Sequence, residues 1–226
     1  MAVEKNGSDV PSAAAQRAHA PDASAGVTLM GGHPVLDFAN TVAWRTDPDR
    51  RVERVKGATA WARWAVAAGL FTARQSAELQ KASAEEEAEE TEETARQLAA
   101  LLHLRGLLWP VLDALTEGEP PPAEEWHELR RVILLARESA ELPAVFPLRW
   151  QPGTERLADL GHTLALQAEA LLAGPGLERI RRCGGPGCGW FFLDRSRGGT
   201  RRWCSSGDCG NRDRARRHYA RSKQAR

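Results

Sequence analysis

The hydrophobic positions between residues 34 and 173 recur mostly three or four residues apart, which is the period of a helix packed on one face. The clearest stripe runs from Leu157 to Leu172 and stops at Gly174-Pro175-Gly176, a sequence that ends helices. Pro34 suits a first helical turn and Pro110 predicts a kink. The pattern predicts helices over 34–44, over 57–69, after Thr72 as N-cap, through 98–115, over 122–140 and over 154–173.

Other segments interrupt this period. Val27–Met30 has the composition of a short strand, and residues 143–153 alternate apolar side chains with prolines, which predicts a short edge strand. The run EPPPAE at 119–124 breaks a helix, and EEEAEETEE at 85–93 is expected to be a solvated helix face or loop. We expect a mainly α fold with small β elements, of the α+β class.

Six tryptophans accompany the helical leucines. They could form a stacking cage for an aromatic ligand, but their spacing favours the hydrophobic core. A core of that size would let this part of the chain fold without a metal. The six are Trp44, Trp61, Trp64, Trp109, Trp126 and Trp150.

The first 26 residues are rich in Ala, Ser, Pro and Gly and predict a disordered tail. They lack the apolar core of a signal peptide, and no apolar run approaches the ~18 residues that cross a bilayer. We therefore expect a cytoplasmic protein.

Charge is distributed unevenly along the chain. The formal net charge is only +1, yet residues 181–226 hold 13 Lys and Arg against three Asp. A basic end on an acidic body predicts a polyanionic partner, and a merely solubilising tail is the alternative. Composition and charge both change at Gly174–Gly176. The predicted domains are a tail at 1–26, a helical domain at 27–174 and a basic module at 177–226.

The four cysteines lie within this module as two pairs, Cys183-x4-Cys188 and Cys204-x4-Cys209, separated by 15 residues. Two close pairs joined by a returning loop match the ligand pattern of tetrahedral zinc, and Gly, Pro and Ser fill the tight turns. Four thiolates would complete the coordination sphere, so the predicted zinc is structural. Disulfide or redox use is the alternative. His218 is a spare ligand that we expect to lie elsewhere.

The loop between the pairs predicts a hairpin. Residues 189–194 would form one strand, Gly198-Gly199 the turn and 201–204 the return strand, with a basic helix beginning near Cys209. This order of knuckle, hairpin and helix is treble-clef-like.

Arginine dominates this module and could bind phosphates or read guanine. Asn211 could contact a base or cap the helix, and we favour the cap. The candidate nucleic-acid-binding residues are Arg195, Arg197, Arg201, Arg202, Asn211, Arg212, Arg214, Arg216, Arg217, Arg221 and Lys223.

Asp37 and Asn40 lie three residues apart on the first predicted helix, with Arg45 nearby, and could bind a small ligand. A helix-packing hydrogen-bond pair is the favoured alternative. The chain contains no P-loop, nucleotide-binding glycine motif or Ser–His–Asp order, so we do not expect an enzyme.

Two motifs resemble known families. The segment RRCGGPGCGWFFLDRSRGGTRRWCSSGDCGNRDRARRH is similar to the CGNR zinc finger, except that Ser205-Ser206 stands where Ser-Met is commoner. GGHPVLDFANTVAWR resembles the opening of the ABATE domain. The resemblance covers residues 27–222 and implies a stress-induced bacterial transcription regulator. Its basic helix would bind double-stranded DNA, and its acidic domain would sense a ligand or a partner protein. An RNA- or ribosome-directed zinc protein, or a small-molecule-binding or enzymatic N-terminal domain, is the alternative.

Overall fold

A computed structural model describes residues 28–78 and 92–224. The predicted tail at 1–26 and most of the glutamate-rich segment at 85–93 lie outside the described residues. The described chain is largely helical and has two small antiparallel sheets, which confirms the expected α+β class.

Most of the helices precede a compact cysteine-containing module, and the last helix ends that module. Residues 73–78 are also helical, and the hydroxyl of Thr72 accepts from the amide of Gln75 at their start, as an N-cap does. In chain order the elements are α1 (Pro34–Ala39), β1 (Val42–Ala43), β2 (Val52–Glu53), α2 (Ala58–Ala67), α3 (Glu92–Glu117), α4 (Ala123–Glu138), α5 (Leu157–Ala173), β3 (Ile180–Arg182), β4 (Phe191–Leu193) and α6 (Asn211–Gln224).

The body core is formed where α3, α4 and α5 pack on one another and on α1 and α2. Trp61, Trp64 and Phe38 meet edge-on at its centre, with ring centroids 5.5–5.9 Å apart. The leucine stripes of α3 and α5 supply most of the rest. The sequence pattern identified these helices because their buried positions follow the helical period.

Helix α3 is long and apolar enough, by length and composition alone, to cross a membrane. In the fold it is the central core helix. Arg105 at its middle is buried and forms a two-pronged salt bridge with Glu53 plus a bond to Thr41 Oγ1. This ion pair ties α3 to strand β2.

Helix α1 is shorter than predicted. It ends at Ala39 rather than near residue 44, because the chain turns at Asn40 and Thr41 and then pairs Val42 and Ala43 with β2. The predicted strand at Val27–Met30 is wrong where the structure describes it, since Thr28–Met30 belongs to no strand.

The predicted edge strand at 143–153 is also wrong. The segment has a single bridge between Glu141 and Gln151, and Val145 and Phe146 are 69% and 86% exposed. Its prolines cannot donate ladder hydrogen bonds. Trp126 and Trp150 are 42% and 37% exposed, so the core interpretation fails for these two tryptophans.

The cysteine module begins with β3 and β4, which pair in register from Ile180–Leu193 to Arg182–Phe191. The predicted partner of β4, residues 201–204, is not a strand. The Asp194 carboxylate accepts from the amides of Ser196 and Arg201 and thereby turns the chain away from β4. The Arg202 carbonyl accepts from the Gly184 amide instead.

The body and the cysteine module share a second apolar cluster. Leu36 and Ala39 of α1 and Leu112 of α3 pack with Ile180 of β3 and Phe191 of β4. The predicted boundary at Gly174–Gly176 follows the end of α5 directly, but the parts on either side of it are packed together.

Candidate metal centre and nucleic-acid surface

The four cysteines converge on one point. Their Sγ atoms all lie within 4.8 Å of one another, and all four side chains are buried and free of disulfides. Cys183 and Cys188 flank the tight turn between β3 and β4. Cys204 precedes a single π-helical turn, Ser206–Gly210, which contains Cys209 and leads directly into α6. The spacing is that of four ligands around one tetrahedral ion.

Glycine is required where the turns approach the sulfurs. A Cβ on Gly185 would lie 2.9 Å from Cys209 Sγ, and Gly187 has a φ of 74° that disfavours other residues. The amides of Gly185 and Cys204 donate to Cys183 Sγ at 3.4 and 3.3 Å, as amides do to metal-bound thiolates. The donor set therefore fits a zinc ion.

The electrostatics of the cluster also favour a cation. The pKa of Cys183 is lowered by hydrogen bonds from the other thiols, first from Cys188, whereas the pKa of Cys204 is raised, mainly by its hydrogen bond with Cys183. Without a cation, the cluster can therefore ionise only in part. A divalent ion removes this conflict by neutralising the thiolates.

Arg212 links the metal cluster to the body. Its guanidinium donates to Cys209 Sγ at 2.8 Å and lies 4.6 Å from the ring centroid of Trp44. Trp44 has a φ of 54°, an uncommon left-handed conformation for a bulky residue, and Arg50 lies 3.3 Å from the same ring centroid. The arginine is thus held between a zinc ligand and an aromatic side chain of the body.

The first cysteine turn is embedded in the body through main-chain contacts. The amide of Arg45 donates to the Cys188 carbonyl at 3.1 Å, and the indole of Trp109 donates to the Gly189 carbonyl at 3.0 Å. The indole of Trp190 donates in return to the Val42 carbonyl at 2.7 Å. The turn that carries two of the four cysteines therefore also contributes to the interface with the body.

Asp37 and Asn40 form contacts within the fold. Asn40 donates to the Phe191 carbonyl and accepts from the Phe191 amide, both at 2.8 Å, and so pairs with β4 as a strand would. Asp37 accepts from the amides of Met30 and Gly31 at 2.7 Å. Both side chains are buried, as in the packing alternative. Arg45 lies over the ring of Trp109, and the predicted ligand role of the three residues stays a prediction.

The candidate nucleic-acid residues separate into two groups. Four of them bond within the fold: Arg201 to the carbonyls of Trp203 and Cys204, Arg212 to Cys209, Arg195 to the Gly32 carbonyl and Asn211 to the Gly207 carbonyl. The Asn211 side chain donates to this carbonyl and accepts from the Arg214 guanidinium rather than from a backbone amide of α6, so the cap interpretation is wrong. The other seven are exposed cations, three of which also have contacts within the finger: Arg214 with the Ser206 carbonyl, and Arg216 and Arg217 with Asp213. The seven are Arg197, Arg202, Arg214, Arg216, Arg217, Arg221 and Lys223.

Helix α6 carries most of this exposed charge and projects from the metal site. Every described side chain on it is exposed except Asp213, which accepts salt bridges from Arg216 and Arg217. Tyr219 is 73% exposed. The helix has six Lys and Arg residues against one Asp and no buried apolar face.

Two families match the chain in adjoining segments. Residues 32–175 match the family described as "Putative stress-induced transcription regulator" (ABATE), which is more than half of the chain. The chain belongs to the ABATE family. Residues 179–222 match the CGNR zinc finger, so the resemblance in the sequence is confirmed. No curated protein matches the chain.

The CGNR finger of this ABATE protein holds one structural zinc ion on Cys183, Cys188, Cys204 and Cys209. Together the two domains indicate a zinc-binding regulator.

Sequence reasoning missed how the ABATE body holds the finger. Trp44, Trp109 and Trp190 form the junction, but an isolated tryptophan in a sequence does not show which surface it contacts. Asp213 is the single acidic residue among six basic residues of α6. That contrast in charge could have predicted from the sequence that Asp213 pairs with its basic neighbours.

Proposed function

We propose that the ABATE protein is a DNA-binding transcription regulator that acts in the cytoplasm, with α6 as its main DNA-contacting element. The observation that carries the proposal is that every described side chain of α6 except Asp213 is exposed. A helix that is polar on every side gains little from tertiary packing, so its stability and its charge both favour a polyanionic partner.

The shape of the element favours duplex DNA over RNA. A single projecting helix fits the major groove of B-DNA, which is ~12 Å wide, whereas the major groove of A-form RNA is too deep and narrow for side chains to read. The zinc site and Arg212 would fix the direction of α6. Arg197 and Arg202 would add phosphate contacts from the adjoining loop.

The proposal includes no enzymatic activity. Four protein thiolates leave zinc without an open position for water or substrate, so the ion would hold α6 in place. The acidic body would sense a ligand or a partner and transmit its state through the Asn40–Phe191 contact and the Trp44–Arg212 contact.

Fluorescence anisotropy with zinc-loaded full-length protein tests the proposal. A labelled 25-bp duplex is titrated between 50 and 200 mM salt, with an RNA hairpin as competitor. If the seven exposed cations each meet a phosphate, log K should fall against log salt with a slope of about −6. The double variant Arg217→Gln, Arg221→Gln should reduce that slope by about 2.

The matched control is the double variant Arg130→Gln, Arg131→Gln on α4, whose side chains are also exposed. It should bind DNA as the wild type does. Absence of duplex binding at 50 mM salt would overturn the proposal. If the RNA hairpin displaces the labelled duplex preferentially, RNA is the partner instead.

A further inference from the structure

A cavity of ≈ 370 Å³ lies at the junction of the body and the finger, away from the metal cluster. Its volume is within the range of small-molecule pockets, roughly 300–1,000 Å³. The last turn of α5 provides Ala170 and Leu171, and Leu193 of β4 faces them, so the floor is apolar. Both parts of the protein therefore contribute to one concave surface.

The rim of this junction cavity is cationic. Arg179 and Arg195 line it together with His33. In the described part of the chain, each guanidinium is held by a backbone carbonyl rather than a carboxylate: Arg179 by Asp194 at 3.2 Å and Arg195 by Gly32 at 2.8 Å. These single contacts orient both arginines and leave further N–H groups of each available, because a guanidinium has five.

His33 lies in the same cationic environment as the two arginines. Its Nδ1 accepts from the Val35 amide at 3.2 Å, which leaves Nε2 as the remaining polar atom of the ring. Partial burial, followed by the positive charge of Arg195, lowers the pKa of His33. A neutral imidazole beside two uncompensated arginines favours an anionic occupant over a cationic one.

We propose that the junction cavity binds a small organic anion, in which a carboxylate meets Arg179 and Arg195 and an apolar group contacts Leu171 and Leu193. Paired arginines recognise carboxylates with charge-assisted hydrogen bonds. The apolar floor distinguishes an organic acid from inorganic phosphate. The ligand would bridge α5 and β4 and so stabilise the body–finger junction. This inference does not depend on nucleic-acid binding.

Ala170 offers a matched pair of variants. It is exposed, lies on α5 and lines the junction cavity. Ala170→Glu places a carboxylate beside the arginines and competes with an anion, whereas Ala170→Gln has nearly the same size without the charge. Both residues are good helix formers, so α5 should tolerate either change.

Isothermal titration of the zinc-loaded full-length protein with benzoate tests the proposal, and benzamide and inorganic phosphate serve as comparison probes. We expect saturable benzoate binding in roughly the millimolar range, with benzamide and phosphate each at least about tenfold weaker. Ala170→Glu should weaken benzoate binding at least about tenfold, and Ala170→Gln should stay within about threefold of wild type.

Arg195→Gln provides a second measurement should Ala170→Glu fail to fold, with the exposed loop variant Arg149→Gln as its control. It should also lose about tenfold in benzoate affinity. No saturable benzoate binding, equal binding by the two Ala170 variants, or equal binding of benzamide and benzoate would overturn the proposal. Phosphate binding as tightly as benzoate would overturn the organic ligand and indicate a simple phosphate site.

Discussion

Asn40 is the side chain that joins the first helix of the body to the finger. Its amide bonds twice to the main chain of Phe191, in a region where all three groups are buried. An unpaired buried amide or carbonyl costs roughly 1–3 kcal/mol. Asn40→Ala should therefore lower the free energy of unfolding by about 3 kcal/mol, measured by urea denaturation of the zinc-loaded protein.

The control for this change is Gln167→Ala, which removes an exposed amide from α5. Its free energy of unfolding should differ from wild type by less than about 0.5 kcal/mol. Equal stability of Asn40→Ala and wild type would contradict the role that we assign to Asn40.

Arg212 is another residue whose role in the fold could not be predicted from the charge pattern. It contacts Cys209 Sγ and the Trp44 ring together, so it acts on the metal through a ligand rather than as a free cation. Removing such an outer contact commonly lowers metal affinity about 10- to 100-fold. Arg212→Lys should show a loss of that size in competition with a chromophoric chelator, because a lysine cannot span both partners.

Arg216→Lys is the matched control for Arg212→Lys. Arg216 lies one turn further along α6 and pairs with Asp213 rather than with a cysteine. Its zinc affinity should match wild type. If Arg212→Lys retains full zinc affinity, the thiolate contact has no energetic role and Arg212 returns to the set of DNA-contacting candidates.

At the scale of secondary structure, α6 depends on the element before it. The helix has no apolar face, and 14 residues in isolation are marginal as a helix in water. The π-helical turn at Ser206–Gly210 supplies its start, and that turn contains the zinc ligand Cys209. Chelating the zinc should abolish the helical Cα chemical shifts of residues 211–224 and leave those of α4 unchanged. Persistence of the α6 shifts without zinc would contradict this dependence.

The secondary-structure elements also show which features the sequence could predict. The cysteine ligands follow from local spacing, and α5 follows from an uninterrupted leucine stripe, so both were predicted from neighbours in the chain. The strand that pairs with β4 was not predicted correctly. Residues 180–182 and 201–204 lie on either side of β4 in the chain, and local propensity does not choose between them. The buried carboxylate of Asp194 makes that choice through contacts with Ser196 and Arg201.

The charged residues show what the sequence could not predict. Eleven residues were candidates for nucleic-acid contact because they share a basic or polar side chain, yet Arg201 and Arg212 are used within the finger. A sequence gives the number of charges but not the carbonyl or thiolate that each one meets. The length of α1 was overestimated for a related reason. Asn40 and Thr41 are compatible with a helix, and only the tertiary pairing with β4 and α3 ends it there.

At the scale of the whole molecule, the body and the finger should unfold as coupled parts. The first cysteine turn offers its carbonyls at Cys188 and Gly189 to the body, and Phe191 packs on α1 and α3. Zinc binding organises that turn, so part of its binding free energy should stabilise the body as well. Chelation should lower the calorimetric Tm of the body transition in the full-length protein.

Trp109→Phe tests whether this coupling passes through the junction. The change removes the indole bond to the Gly189 carbonyl while keeping an aromatic ring near Phe191, so chelation should lower the Tm of this variant less than it lowers that of wild type. Trp126→Phe on the solvent-facing side of α4 is the matched control and should show the wild-type shift. A body transition that does not move on chelation in the wild type would mean that the two parts are packed together but energetically independent. In that case, a ligand at the body could not influence α6 through this junction.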